Sequence, residues 1–147
     1  MKAFIVDRYR KDEPLRFGEM PEPALGQGDV LVEIHAAGLN PLDAKIRDGA
    51  FKAFIPYRPP FILGHDVAGI VVAIGANVRR FKLGDEVYAR PRDGRIGTFA
   101  ERIAIDQDDV ALKPGAITME EAASIKKQLE DRKLVERVGL RRQSSCL

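Results

Sequence analysis

Residues 30–51 read VLVEIHAAGLNPLDAKIRDGAF. The opening residues alternate, with Val30, Val32 and Ile34 on one face and Leu31, Glu33 and His35 on the other, the two-residue period of a half-buried strand. Asn40-Pro41 then changes the pattern. Asparagine is a favoured N-cap because its side-chain oxygen accepts a backbone N–H that the first helical turn leaves without a partner. Proline at the first helical position has no amide hydrogen to lose. A strand over residues 30–36 followed by a short helix over 42–47, stopped by Gly49, is therefore predicted.

Working outward, residues 2–7 and 15–20 are strand candidates joined by a charged turn at 11–14, and PEPALGQGD (21–29) is a loop by its Pro and Gly content. Residues 67–74 form a continuous apolar run, the pattern of a strand buried on both faces. Residues 85–90 and 98–105 flank Asp93-Gly94, a hairpin signal that predicts their pairing. Residues 110–112 make one more short strand. Thr118 with Glu121 three positions later is a capping box, and a helix is expected to run through Ala122, Ala123 and Ile125. Many short strands with closely spaced turns imply a mainly β fold, a partly open barrel carrying short helices.

The chain has 147 residues, about one domain. Its net charge is +2, unevenly placed: residues 126–147 hold seven Lys and Arg against three Asp and Glu, and residues 1–125 hold 17 against 19. The acids interleaved in the basic segment, and the lack of any nucleic-acid motif, argue for a solvated helical or disordered tail rather than a nucleic-acid surface. Cys146 is the only cysteine, which excludes an intrachain disulfide and suits a reducing compartment. The longest apolar run is far below the roughly 20 residues of a membrane-spanning helix. The charged start does not resemble a signal peptide, so a cytoplasmic domain with no membrane partner is expected.

Phosphate-binding patterns fail. Gly26-Gln27-Gly28 begins a G-x-G, but Leu31 stands where a third glycine belongs; Gly64 and Gly69 have P-loop spacing, but Ile70 stands where lysine is required. Zinc needs three or four ligands, and the chain offers one distant cysteine, His35, His65 and scattered carboxylates. For His65-Asp66, hydrogen bonding at the start of a strand is the expected role. A hydrolase nucleophile in a recognisable context is also missing.

Three segments remain: residues 30–51, PPFILGHDVAGIVVAIGANVRRFKLGDEVYA (59–89) and GTFAERIAID (97–106). In order and spacing they resemble the N-terminal, GroES-like domain of the medium-chain dehydrogenases/reductases, nearest to the quinone oxidoreductases and NADPH-dependent enone reductases. The resemblance covers residues 1–125. It implies a GroES-like β-barrel and hydride transfer from NADPH to a small electrophilic carbonyl or quinone. Asn40 stands where the zinc-dependent branch has a metal-binding cysteine, and the cysteine-rich lobe is missing, so no zinc is expected. His65 does match that branch's second ligand position.

The resemblance carries Asn40 over to the nicotinamide-ribose side of the cleft as a catalytic and cofactor-binding residue, with Asp43 and Lys45 on the adjoining helix. An amide can bond a ribose or carboxamide, and Lys45 can pair with phosphate or polarise a carbonyl. Asn40 read by itself is equally a helix cap, and one residue can do both. Phe51 and Tyr57 are candidate walls of the substrate cleft. After Ile125 the resemblance breaks off before a nucleotide-binding Rossmann domain. A chain lacking turnover on its own, NADPH binding that is weak at best, and self-association through an exposed interdomain face are therefore expected, with the helix from Thr118 facing water. The alternative is a free-standing GroES-like barrel that acts as a binding module.

Overall fold

A computed structural model describes residues 1–125; the basic segment 126–147 lies outside the described residues, and with it the expectation of a helical or disordered tail. The elements are β1 (Lys2–Val6), β2 (Arg16–Glu19), β3 (Asp29–Gly38), α1 (Pro41–Arg47), β4 (Phe61–Ile62), β5 (Asp66–Ile74), β6 (Glu86–Ala89), β7 (Arg102–Asp106), β8 (Val110–Leu112) and α2 (Met119–Ser124), with a 3-10 turn at Gln107–Asp109. They form two antiparallel sheets, ordered β2-β1-β4 and β7-β3-β5-β6-β8. The larger sheet curls into the half-barrel of a GroES-like fold. The smaller is tied to it through an Ala3–Ala100 bridge.

β3 sits inside the larger sheet because its alternation is real. Val30 and Val32 are buried and Ile34 half-buried against a core completed by Val67, Val71, Val87, Ile103, Ile105 and Val110, while Glu33 and His35 face out. Its pairing with β5 slips by one residue between Ile34 and Ala36, a bulge that bends the strand and helps the sheet curl.

Three expectations are corrected. Residues 85–90 and 98–105 do not form a hairpin: β6 pairs with β5 and β8, and β7 pairs with β3. Gly94, at φ 86°, does turn the chain. However, β6 is paired along both edges, between β5 and β8, and β7 lies at the outer edge of the sheet against β3. Second, β5 is buried on both faces only over its first half, and Val72 and Ile74 are exposed. Third, the helix from Thr118 ends at Ser124 and buries its Ala122–Ala123 face, while Thr118, Glu120, Glu121 and Ser124 face solvent. Its capping box forms, with Glu121 N–H donating to Thr118 Oγ1 at 3.1 Å and Thr118 N–H donating to Glu121 Oε2 at 2.8 Å. Ala122 and Ala123 are buried against Ala68, with Ala36 and Tyr88 packed alongside.

One ion pair closes the barrel end where β3 begins. Asp29 is 5% exposed; its carboxylate takes two hydrogen bonds from the Arg95 guanidinium, at 3.0 and 2.7 Å, and a third from Gly26 N–H at 3.0 Å. The Arg95 hydrogen bonds hold the Asp29 carboxyl below the usual carboxylate range, against the opposing effect of burial. A carboxyl depressed in the folded state stabilises the fold above its ordinary pKa, and loses that stabilisation as pH falls through the depressed value. Arg95→Ala is expected to cost about 1–2 kcal/mol at neutral pH, the half-exposed guanidinium keeping it below a fully buried pair. The deficit should begin to shrink below the ordinary carboxylate pKa, as the stabilisation from the depressed Asp29 carboxyl is progressively lost. Urea unfolding at pH 7 and pH 3 measures this, and an equal deficit at both would refute it.

Candidate functional site

The site is built where β3 runs out. Gly38 ends the strand, Leu39 projects into solvent at 89% exposure, and Asn40 caps α1 in an extended conformation. Asn40 Oδ1 accepts the Leu42 N–H at 3.0 Å, and the Asn40 N–H donates to Asp43 Oδ2 at 3.0 Å, completing a capping box. So far this is the local chemistry of residues 40–43.

The next layer is tertiary. Asp43 is buried, and its second oxygen, Oδ1, lies 2.5 Å from Nδ1 of the fully buried His65. Asn40 Nδ2 donates to Oδ2 of the buried Asp66 at 3.2 Å. His65 and Asp66 stand at the start of β5, hydrogen-bonded as their sequence suggested. Two backbone features bring that strand end in. Gly64 has φ 112°, a conformation that disfavours side chains, and a Cβ there would lie 2.2 Å from Thr98 Oγ1. The Gly97 N–H also donates to the Gly64 carbonyl at 3.0 Å. Among the described residues, three buried polar atoms here have no partner: His65 Nε2, Asp66 Oδ1 and Thr98 Oγ1.

Asn40 opens onto apolar surface. A groove of about 440 Å³ is lined by Asn40, Asp43, Arg47, Leu63 and Phe99. A larger one of about 580 Å³ is lined by Phe4, Phe17, Ile34, Ala36, Thr98 and Phe99. Leu15, Leu39 and Phe99 belong to both.

Of the residues singled out in the sequence, Asn40 and Asp43 meet at this site. Lys45 is exposed on α1 and lines neither groove; the cation that does reach Asn40's groove is Arg47, which is paired with Asp48 at 2.9 Å. Phe51 and Tyr57 pack on a second core around Val6, Ile46 and Leu63 rather than walling either groove. Tyr57 stacks on Phe61 with ring centroids 5.2 Å apart, and its hydroxyl accepts the Gly94 N–H at 3.0 Å. Burial pushes the Tyr57 phenol up. Sequence reasoning missed Phe4, Phe17, Leu39 and Phe99. Phe4 carried a signal, since alternation along β1 sets it opposite the buried Ala3 and Ile5. Among the described residues, no three of His, Cys, Asp and Glu gather as a metal-binding set.

This fold and groove have relatives. Residues 26–115 match the alcohol dehydrogenase GroES-like domain, and the chain belongs to that family. It is 36% identical over 137 residues to the chloroplastic NADPH-dependent alkenal/one oxidoreductase of Arabidopsis thaliana, covering 88% of this chain and 35% of that protein. Among solved structures it is similar to the quinone oxidoreductase of Coxiella burnetii, at 26% identity and TM-score 0.78, covering 93% of this chain and 44% of that one. It is similar also to mycobacterial Rv1454c complexed with NADPH, at 29% identity and TM-score 0.78, covering 96% and 42%. The chain spans about a third, 35%, of the length of the curated relatives it matches.

Proposed function

We propose that this chain forms the substrate-side half of an NADPH-dependent reductase of quinones or α,β-unsaturated carbonyls, and that turnover requires a nucleotide-binding unit beside it. The observation that carries the reading is Asn40: an amide anchored through its backbone N–H, Oδ1 and Nδ2, lining a groove whose other residues are mostly apolar, with Asp43 and Arg47 the charged exceptions. Such a groove excludes water from a flat, weakly polar substrate, and a fixed amide orients a polar group at its edge. The names of relatives that act with NADPH on alkenals, or on quinones, support it. NADPH, when bound, supplies a hydride; the residues here would hold and orient what lies against Asn40. No glycine-rich phosphate cradle occurs in the sequence, so the residues fit the nicotinamide end of the cofactor and leave the pyrophosphate to another unit.

The test exchanges this chain for the matching segment of the Arabidopsis enzyme and follows NADPH oxidation with an enone and with a quinone. The chimera should turn over, Asn40→Ala should lower its kcat/KM by roughly tenfold or more, and the 147-residue chain alone should bind NADPH no tighter than millimolar. A folded chimera inert toward both substrates, or micromolar NADPH binding by the chain alone, would overturn the reading.

The reaction proposed needs no zinc. Asn40 is a poor zinc ligand, and His65 already engages Asp43 through Nδ1. Metal analysis of chelator-free protein should find no stoichiometric zinc. One equivalent, lost in His65→Ala, would be decisive against it.

A further inference from the structure

We propose that Asp66 is a positioning residue that locks the Asn40 carboxamide in one orientation, so that Asn40 offers an N–H to a ligand and the group this N–H reads is an acceptor oxygen. An asparagine amide can in principle turn over, exchanging its oxygen and nitrogen. Here both ends are committed. Leu42 N–H belongs to the first turn of α1, where no helical carbonyl is available, and it takes Oδ1 as acceptor. Asp66 Oδ2 accepts from Nδ2. Turning the amide would set N–H against N–H at Leu42 and oxygen against oxygen at Asp66, losing both bonds at once.

Nδ2 carries two hydrogens, and Asp66 takes one. The other has no protein partner among the described residues, and Asn40 lines the groove shared with Arg47, Leu63 and Phe99. Asp66 itself is 6% exposed and lies among the lining residues of neither groove, so it acts through Asn40. The open N–H suits a carbonyl, hydroxyl or ether oxygen and rejects a donor. That the oxygen belongs to the nicotinamide carboxamide or ribose of NADPH rests on the function proposed above; the orientation of Asn40 does not.

Two measurements on the 147-residue chain test this. In nitrogen–proton spectra, the Asn40 side-chain protons, assigned by their loss in Asn40→Ser, should be well separated. Asp66→Ala should collapse that separation, and Asp66→Asn, which retains an acceptor, should restore it. Should Asp66→Ala not fold, the exchanged pair decides: Asn40→Asp, which faces two carboxylates, should melt well below Asn40→Ser, and adding Asp66→Asn should recover the loss. Unmoved Asn40 signals in a folded Asp66→Ala, or no recovery in the double variant, overturns the proposal. Adding millimolar NADPH should then shift the unbonded Asn40 proton, with about tenfold weaker binding in Asp66→Ala. If the spectra follow Asp66 as stated but NADPH leaves Asn40 unmoved, the positioning role is upheld and the cofactor reading fails.

Discussion

Asp43→Ala is expected to destabilise the domain by about 2.5–4 kcal/mol, adding a lost cap of about 1 kcal/mol to a charge-assisted buried hydrogen bond of about 1.5–3. The one carboxylate does two jobs. Oδ2 accepts the Asn40 N–H, and Oδ1 meets Nδ1 of His65, whose side chain is wholly out of solvent. Alanine would remove the partner of Nδ1, and its Nε2 already has no partner among the described residues. Two uncompensated polar atoms on one buried ring should loosen the junction of β3, α1 and β5 together. Asp43→Asn keeps the shape and an acceptor for the cap, and should recover at least half the loss. Urea unfolding followed by circular dichroism, with an unchanged denaturant slope, measures both. A deficit below about 1 kcal/mol for Asp43→Ala would mean that the pair contributes little to the fold.

Gly69→Val should prevent the domain from folding. Gly69 stands opposite Ile34 at the point where β3 bulges against β5. A Cβ there would lie 2.0 Å from the Glu33 carbonyl oxygen and 2.9 Å from both Glu33 C and Val32 Cγ1. The obstacle is backbone of the adjacent strand, so relief requires separating β3 from β5, the central pairing of the larger sheet. Ordinary overpacking of a core costs about 1–3 kcal/mol and is absorbed by side-chain movement; here that movement is closed off, and the cost should approach the 5–15 kcal/mol total stability of a typical domain. Gly28 is the control, since a Cβ there meets nothing within 4 Å, and Gly28→Ala should be near neutral. Dispersed amide spectra retained in Gly69→Val would show that the sheet yields at the bulge.

The comparison of sequence with structure divides by range. The alternation of Val30, Val32 and Ile34, the cap at Asn40, the capping box at Thr118 and the turn at Gly94 were all legible, because each depends on residues within about four positions of one another. The expected hairpin across Asp93-Gly94 failed although its turn formed. A turn reverses the chain but does not choose the strand's partner: β6 pairs with β5 and β8, and β7 with β3.

The site divides the same way. Asn40 as a cap follows from the order Asn40-Pro41 and the acid at Asp43. Its contact with Asp66, 26 positions away, and that of Asp43 with His65, 22 away, exist only because the curled sheet brings the start of β5 to the end of β3. Phe51 and Tyr57 are apolar rings that either a cleft or a core would accept, and only the fold decided for the core. Most of the strands, both helix starts and the resemblance to the family were legible along the chain, β4 excepted, whereas the packing of the sheets set which side chains meet at Asn40. Capping and alternation are satisfied within a few residues of backbone, whereas a buried carboxylate finds its donor only once distant segments have been packed together.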